Sequence, residues 1–383
     1  MQIHFKTPQC ISGPGSSLSL GELVSGSGYK KVLFICDQGV ISAGITEPVI
    51  TALVASGVKV TVFDEVIPDP SAETAEAAGQ RARESGADAI VAIGGGSSID
   101  TAKAASLLAA NKEPIQNFYS RNIPMAKPLP LFAVPTTSGT GSEVTPAAVI
   151  SDKELKRKVT LVDPKLMPEF AILDPLLTLG LPRGLTAATG MDALAHAVES
   201  MTCILHNPLT DGIALSAAGL IMENLPICVE NGRDENARTN MQLASAMAGM
   251  AFGNTAAHVG HAFAHAMGAV WHIPHGTACA LALPFAILNC GASAYSRILA
   301  LSRAAGIPTD GVSNEEITRR LSRWFMDFAR SVGIPSLREL NVTPSDLDRI
   351  VDATLNEKPL IQLSGVPVTD SACREWYKEL FRM

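Results

Sequence analysis

Histidines and one aspartate recur at helical spacing in two parts of the sequence, and this pattern is the first sign of chemistry. His261 and His265 are four residues apart in an apolar run, so they would lie one turn apart on the same face of a helix. His275 follows in a Trp-His-Ile-Pro-His-Gly turn. Asp192 and His196 repeat the same spacing in a second apolar run. Each of the two helices could therefore present two ligands.

Such a set of side chains suits a divalent transition metal. Carboxylate oxygen and neutral imidazole nitrogen are ligands for Fe²⁺ and Zn²⁺. The proposed set is Asp192, His196, His261 and His275. It would leave a divalent ion with about one net positive charge and an open position for a substrate oxygen. A single pair at this spacing is more often made of ordinary core or capping histidines, but two helices and a third histidine favour a Lewis-acid metal site.

Two loops rich in small residues predict a dinucleotide site. In AIVAIGGGSSIDTAK, three glycines separate an apolar strand from a helix that should begin at Ser97 or Ser98. Backbone N–H groups and the helix dipole favour a pyrophosphate there, although such turns also occur for steric reasons and this one is not a G-x-G-x-x-G. In PTTSGTGSEVT, Thr136, Thr137 and Thr140 could donate to phosphate or ribose oxygens, or could cap their own turn.

A carboxylate ends the early strand KKVLFICD. Asp37 could accept hydrogen bonds from the adenosine ribose hydroxyls, and it would repel the 2′-phosphate of NADP. The alternative is that Asp37 caps the helix that follows it. If Asp37 binds the ribose, it would favour NAD(H) over NADP(H).

The order of the patterns predicts the fold. In the first half, continuous apolar runs typical of parallel strands alternate with amphipathic helical runs, which indicates a doubly wound, mostly parallel α/β sheet. From about Leu185 the pattern is helical almost without interruption. We therefore predict an NAD-binding α/β domain over residues 1–184 and an all-α metal-binding catalytic domain over residues 185–383, with the active site in the cleft between them.

Composition limits the partners. The 383 residues are 47% hydrophobic and 17% charged with a net charge of -7, which gives no reason to expect nucleic acid and favours a small substrate. Seven scattered cysteines without a C-x-x-C spacing indicate reduced thiols and a cytoplasmic location. No secretion signal is visible at the start. The run ACALALPFAILNC is too short to span a bilayer, so we expect a buried helix and no membrane association.

Four segments resemble the iron-activated, or group III, alcohol dehydrogenases, and they occur in that family's order. These are GGGSSIDTAK at 94–103, PTTSGTGSEVT at 135–145, GMDALAHAVE at 190–199 and HAFAHAMGAVWHIPHG at 261–276. The resemblance extends over most of the chain and is specific to the family rather than to one member.

The resemblance implies roles for the candidate residues. It makes Asp192, His196, His261 and His275 the metal ligands, and it places His265 beside the nicotinamide. It implies that the dinucleotide is lined by Gly95, Gly96, Ser97, Thr136 and Thr137. Asp37 matches an aspartate that disfavours NADP, and Lys158 matches a lysine near the nicotinamide ribose. Asp69, where many members carry Asn, departs from the family pattern.

These inferences predict a metal-dependent, NAD(H)-linked alcohol dehydrogenase or aldehyde reductase. Its substrates would be small primary alcohols, diols or the matching aldehydes, with hydride transfer while the alkoxide is held on Fe²⁺, or on Zn²⁺ or another divalent ion. His265 would relay the proton or, alternatively, only pack beside the ligands. Glu199 would orient a ligand helix or form a salt bridge. A homodimer is the default expectation.

Two other functions stay open at this point. One is a metal- and NAD-dependent lyase or cyclase of the dehydroquinate-synthase type, which should carry a more basic pocket than the sparse lysines and arginines around the metal helices provide. The other is a non-catalytic metal- or nucleotide-binding protein.

Overall fold

The computed structural model describes residues 3–119, 125–155 and 157–382, and the chain in it divides into two compact units. One unit spans Lys6–Gly180. The other begins at Leu181 and takes in the described residues before Lys6. The first is built on a sheet, and the described part of the second from residue 181 onward is helical.

The described part of the first unit contains eight strands: β1 Gln9–Ser12, β2 Lys31–Asp37, β3 Lys59–Val66, β4 Ala89–Gly94, β5 Leu131–Pro135, β6 Ala147–Asp152, β7 Arg157–Val162 and β8 Phe170–Leu173. Six of them form one sheet in the order β1-β8-β5-β4-β2-β3, with every neighbouring pair parallel. β6 and β7 form a separate antiparallel pair. The predicted parallel α/β sheet is confirmed.

Helices cover both faces of this sheet: α1 Leu20–Gly26, α2 Gln38–Ser42, α3 Thr46–Ala55, α4 Ala72–Ser85 and α5 Gly96–Ala110. Successive strand residues point to opposite faces, so Phe34 joins the apolar cluster of α1 and α3 while Leu33 joins that of α4 and α5. Both residues are fully buried. Burial on two sides explains why the central strands β2, β4 and β5 are apolar along nearly their whole length, whereas β3, at the edge of the sheet, has exposed and polar positions.

The strand order contains a switch point that matters for ligand binding. From β2 the chain adds β3 on one side and then returns to place β4 on the other side of β2. In open α/β sheets, ligands bind beyond the carboxyl ends of the two strands at such a point. Those ends are Asp37 and Gly94.

The second unit contains ten helices in its described part, and no strand occurs between residues 181 and 382. The helices are α6 Arg183–Thr202, α7 Pro208–Glu230, α8 Glu235–Gly253, α9 Val259–Trp271, α10 His275–Cys290, α11 Tyr295–Ala304, α12 Asn314–Ser331, α13 Leu347–Asn356, α14 Lys358–Leu363 and α15 Asp370–Arg382. The predicted helical second part is confirmed. By length and composition α7 could cross a membrane, with a mean hydropathy of 1.6, but core helices of soluble proteins pass the same test.

Glycines allow the helices that carry the candidate metal ligands to approach one another closely. A Cβ atom on Gly276, at the start of α10, would lie only 2.2 Å from the carbonyl oxygen of Ala188 in α6. A Cβ atom on Gly190 would lie 2.4 Å from Leu225 of α7. The contact of Gly276 is with backbone, so only glycine fits there without a shift of α10 against α6. At Gly190 the contact is with the end of the Leu225 side chain, which could turn to make room.

Candidate metal and dinucleotide sites

Asp192 lies at the centre of the candidate metal site. Its side chain is 4% accessible, and its Oδ1 atom is 3.8 Å from His196 Nε2, 3.7 Å from His261 Nε2 and 3.6 Å from His275 Nε2. Within the described residues, Oδ1 has no hydrogen-bond partner of ordinary geometry. A buried carboxylate oxygen in that position needs a compensating positive charge. Three imidazole nitrogens that face one such oxygen therefore fit a divalent cation.

Three helices position these four side chains. Asp192 and His196 are one turn apart on α6, as the spacing predicted, and His261 lies near the start of α9. The expectation that His275 lies in a turn is wrong, because His275 is the first residue of α10. The chain reverses earlier, at His272, whose φ of 56° ends α9 in a left-handed conformation.

Glu199 orients one of the candidate ligands. It is buried on α6, and its Oε1 atom is 3.0 Å from His261 Nδ1. Its Oε2 atom accepts from the backbone N–H of His258. A proton on Nδ1 of His261 leaves Nε2 available towards Asp192, which is the usual arrangement behind a metal-bound histidine.

Electrostatics keep both acids of this cluster ionised. Burial alone would raise the pKa of Glu199, but the imidazoles of His261 and His258 outweigh it and lower the pKa to about 2. Burial likewise opposes ionisation of Asp192, and its three histidine neighbours lower its pKa nevertheless. Burial would lower the pKa of His261, yet the carboxylates of Glu199 and Asp192 raise it. The candidate site therefore combines two ionised carboxylates with imidazole side chains that stabilise their negative charge.

His275 is held in its neutral form. Burial, with the positive charge of the other histidines, lowers its pKa against the opposing effect of Asp192. The side chain of His275 is 39% accessible to solvent, and its Nε2 atom points towards Asp192. A neutral imidazole is the form that binds a metal.

The sequence interpretation missed one donor, Cys279. Its Sγ atom lies 3.6 Å from His275 Nε2 and 3.8 Å from His261 Nε2. The donor atoms of Cys279, Asp192, His261 and His275 all lie within 4.8 Å of one another. Burial and the charges of Asp192 and Glu199 raise the pKa of the thiol well above its ordinary value. Cys279 follows His275 by four residues, a helical spacing that became informative only once His275 was seen to begin a helix.

His265 lies beside the cluster and outside the set that surrounds Asp192. Its ring centroid is 5.8 Å from that of His275 and 6.3 Å from that of His261. Its Nδ1 atom is 3.6 Å from a carboxylate oxygen of Glu357, and a third of its side chain is accessible at 33%. His265 therefore does not belong to the set of side chains that faces Asp192.

Asp37 has two partners at the carboxyl end of β2. Its Oδ1 atom accepts from the backbone N–H of Val40 at 3.0 Å, so it caps α2 as the alternative interpretation expected. Its Oδ2 atom accepts from the Ser98 hydroxyl at 3.2 Å, and Ser98 belongs to the first turn of α5. Asp37 therefore lies directly at the switch point of the sheet, next to the glycine loop.

The two small-residue loops lie against each other. Gly95 caps α5, and the helix begins at Gly96 rather than at Ser97 or Ser98, although Ser97 lies in its first turn. A Cβ atom on Gly96 would lie 2.8 Å from Thr140, and one on Gly95 would lie 3.5 Å from Thr137.

Hydrogen bonds fix the threonine loop in place. The backbone N–H of Thr136 donates to the carbonyl of Gly94 at 3.0 Å. The Thr140 hydroxyl accepts from the backbone N–H of Ser142 at 3.2 Å, as the turn-capping alternative expected. The packing brings the backbone of one loop and the hydroxyls of the other to the amino end of α5, where the helix dipole favours an anion.

Lys158 is paired with Asp69 and not with a described residue of either loop. It lies on β7, and its Nζ atom forms an ion pair of 2.5 Å with Asp69, whose φ is 53°. Across the described residues, no hydrogen bond or ion pair joins Lys158 to Asp37 or to either loop.

Comparisons with known proteins relate nearly the whole chain to one enzyme family. The chain matches the family described as iron-containing alcohol dehydrogenase over residues 7–175 and the C-terminal part of the same family over residues 186–378. It is 42% identical to a probable alcohol dehydrogenase, EutG, of Escherichia coli over 277 residues, which are 72% of this chain and 70% of that protein.

Two solved structures are similar over nearly the whole length. Alcohol dehydrogenase from Oenococcus oeni has a TM-score of 0.94 at 33% identity, covering 99% of this chain and 100% of that chain. Sulfoacetaldehyde reductase from Bifidobacterium kashiwanohense, solved in complex with NAD⁺, has a TM-score of 0.89 at 29% identity, with 99% of both chains covered.

Proposed function

Because the chain belongs to the iron-containing alcohol dehydrogenase family, we propose that it interconverts small primary alcohols or diols and the matching aldehydes with NAD(H) and a divalent metal. The observation that carries this proposal is the convergence of three imidazole nitrogens, at 3.6 to 3.8 Å, on the buried Oδ1 atom of Asp192. Fe²⁺ is the proposed ion, and Zn²⁺ or another divalent ion would fit the same donors.

The proposed ligands are Asp192, His196, His261 and His275. An ion held there would act as a Lewis acid on the oxygen of an alcohol or an aldehyde. Asp192 supplies the negative charge, and its ionised state is maintained by the surrounding imidazoles. Glu199 holds His261 through Nδ1 so that Nε2 points to the site. The low accessibility of Asp192 and His261 excludes water from their side of the site.

The proposed NAD site lies at the switch point of the parallel sheet. Its members are Asp37, Gly95, Gly96, Ser97, Thr136, Thr137, Thr140 and Lys158. The amino end of α5 and the backbone of the glycine loop suit a pyrophosphate. Asp37 would accept hydrogen bonds from the ribose hydroxyls, which would replace the hydrogen bond that Ser98 now donates to it. Its negative charge would disfavour the extra phosphate of NADP. The complex of a similar reductase with NAD⁺ supports this cofactor.

His265 is the proposed proton carrier. It lies next to the ligands without facing Asp192, and its partly accessible ring faces the carboxylate of Glu357. His258 also lies beside the cluster but is fully buried and paired with Thr202. A histidine in such a position can take a proton from the reacting hydroxyl and pass it to solvent.

The remaining assignments follow the same proposal. We assign NAD binding to residues 1–184 and the metal-dependent step to residues 185–383. None of the seven cysteines is in a disulfide, which supports a reducing, cytoplasmic location. A homodimer is the proposed assembly.

The test is formation of NADH from a panel of short primary alcohols and diols. Metal-stripped protein would be assayed alone and after anaerobic loading with Fe²⁺ or Zn²⁺. Turnover should require the metal and should be lost in His261→Ala. The control is His206→Ala, since His206 is paired with Asp211 in a loop. Absence of NADH with either metal on the whole panel would contradict the proposal.

A further inference from the structure

A thiol lies among the proposed metal ligands. Cys279 is on α10, one turn after His275, and is 1% accessible. Its Sγ atom is 3.6 Å from His275 Nε2 and 3.8 Å from His261 Nε2. Sulfur, the two nitrogens and a carboxylate oxygen of Asp192 form one group of donors within 4.8 Å of one another.

These separations match those between donors that share one ion. With bonds of about 2.3 Å to sulfur and about 2.05 Å to nitrogen, the two donors would be about 3.6 Å apart at the tetrahedral angle and about 3.8 Å apart at 120°. The two sulfur–nitrogen distances of Cys279 are 3.6 and 3.8 Å. For oxygen and nitrogen, each bonded at about 2.1 Å, the expected range is about 3.4 to 3.6 Å. The distances from Asp192 to His275, His261 and His196 are 3.6, 3.7 and 3.8 Å, at the upper end of this range and up to 0.2 Å beyond it.

We infer that Cys279 is a sulfur ligand of the divalent ion, in addition to the carboxylate and imidazole ligands. The inference rests on the proposed function, because it requires an ion at this site. On binding, the sulfur–hydrogen bond of the thiol is replaced by a sulfur–metal bond, and the proton leaves to solvent. A nearby cation reverses the effect of burial on a thiol, since it stabilises the thiolate directly.

A thiolate would change the properties of the site. With Asp192 it would supply two negative charges, so a divalent ion would become neutral overall instead of keeping one positive charge. Soft sulfur ligands favour Zn²⁺ over harder ions. We therefore expect this chain to bind Zn²⁺ more tightly, relative to Fe²⁺, than its Cys279→Ser variant does.

Cobalt substitution tests the inference without any measurement of turnover. The full chain would be stripped of metal and loaded anaerobically with one equivalent of Co²⁺, with bound cobalt measured by dialysis. The wild type should show a thiolate-to-cobalt charge-transfer band in the near ultraviolet beside the visible ligand-field bands. Cys279→Ser should lose the charge-transfer band and keep the ligand-field bands. Its Kd for Zn²⁺ should rise at least about tenfold, the lower end of the cost of losing groups that only orient ligands.

The matched control is Cys290→Ser on the same helix. Cys290 is also fully buried, but its Sγ atom faces the carbonyl oxygen of Ser364 at 3.9 Å, and it does not belong to the group of candidate donors. This variant should keep the charge-transfer band. If Cys279→Ser does not fold, the wild-type spectrum and Cys279→Ala decide the question.

The outcomes separate this inference from the proposed function. Ligand-field bands without a charge-transfer band in the wild type would overturn the role of Cys279 and leave the metal-dependent dehydrogenase intact. A charge-transfer band that persists in Cys279→Ser would also overturn it. Failure of the wild type to bind cobalt at all would overturn both.

Discussion

Replacing Glu199 by glutamine should weaken metal binding and change how stability depends on pH. The variant keeps the size of the side chain but loses its charge. The carboxylate now accepts from Nδ1 of His261 at 3.0 Å and from the backbone N–H of His258. The amide would have to turn its NH₂ group towards one of these donors, so one buried N–H would lose its acceptor. Groups that orient a metal-bound histidine typically contribute 10- to 100-fold in affinity, so the Kd for Zn²⁺ should rise by about that factor.

The effect on stability follows from the pKa of Glu199. Its pKa is about 2 in the fold against an ordinary 4.5, and at about 1.4 kcal/mol for each pKa unit this difference amounts to roughly 3 to 4 kcal/mol. A depressed pKa stabilises the fold above the unfolded value. That stabilisation is therefore complete above about pH 4.5 and disappears as the pH falls towards 2. The free energies of unfolding of metal-free wild type and Glu199→Gln should differ most near pH 6 and converge in acid.

Two measurements check this prediction. Chemical denaturation of the metal-free proteins at a series of pH values gives the difference in unfolding free energy, and competition with a chromophoric chelator gives the Kd for Zn²⁺. Glu230→Gln, at the exposed end of α7, is the control and should change neither quantity. A wild-type Kd for Zn²⁺ in Glu199→Gln, together with a stability difference that is the same at every pH, would refute the reasoning.

Three further changes give separate expectations. Asp37→Asn keeps a side chain that can cap α2 but removes the negative charge. The ratio of kcat/KM for NADP to kcat/KM for NAD should therefore rise, because the repulsion of the 2′-phosphate is lost. An unchanged ratio would count against a role of Asp37 in ribose binding. His265→Ala should lower kcat at least about 100-fold at unchanged metal content, with partial recovery on adding imidazole, and loss of the metal would make it a ligand instead. Gly276→Ala would place a methyl group 2.2 Å from the carbonyl of Ala188 and should cost about 1 to 3 kcal/mol of unfolding free energy and weaken Zn²⁺ binding. Gly219→Ala, in open space on α7, should instead stabilise by about 0.4 to 1 kcal/mol, and similar results for the two glycines would show that the contact with Ala188 is unimportant.

The sequence predicted those features that depend on local spacing. The strands β2, β4 and β5 are predictable because burial on both faces makes nearly the whole run apolar. The edge strand β3 is less buried, and its apolar residues are interrupted by Thr61, Asp64 and Glu65. Asp192 and His196 were placed one turn apart because a helix has a fixed period. The strands β1 and β8 were not predicted, since each has four residues and is defined mainly by pairing with its neighbours.

The features that the sequence did not predict depend on contacts between segments that are distant in the chain. Glu199 could be assigned to the helix of Asp192, but its partner His261 is 62 residues further along and is chosen by the packing of α6 against α9. Cys279 was overlooked because His275 was interpreted as part of a turn, which hid their separation by one helical turn. For Asp37, spacing could not decide between capping and ribose binding, and the structure shows the cap without removing the carboxylate from the end of β2.

The most direct test of the metal site is an anomalous difference map from crystals of the zinc-loaded protein, recorded on both sides of the zinc absorption edge. We predict one strong peak between α6, α9 and α10, within about 2.0 to 2.2 Å of an oxygen of Asp192 and of Nε2 of His196, His261 and His275. Zinc bound elsewhere, with these four side chains not coordinating it, would contradict the proposed metal-dependent dehydrogenase.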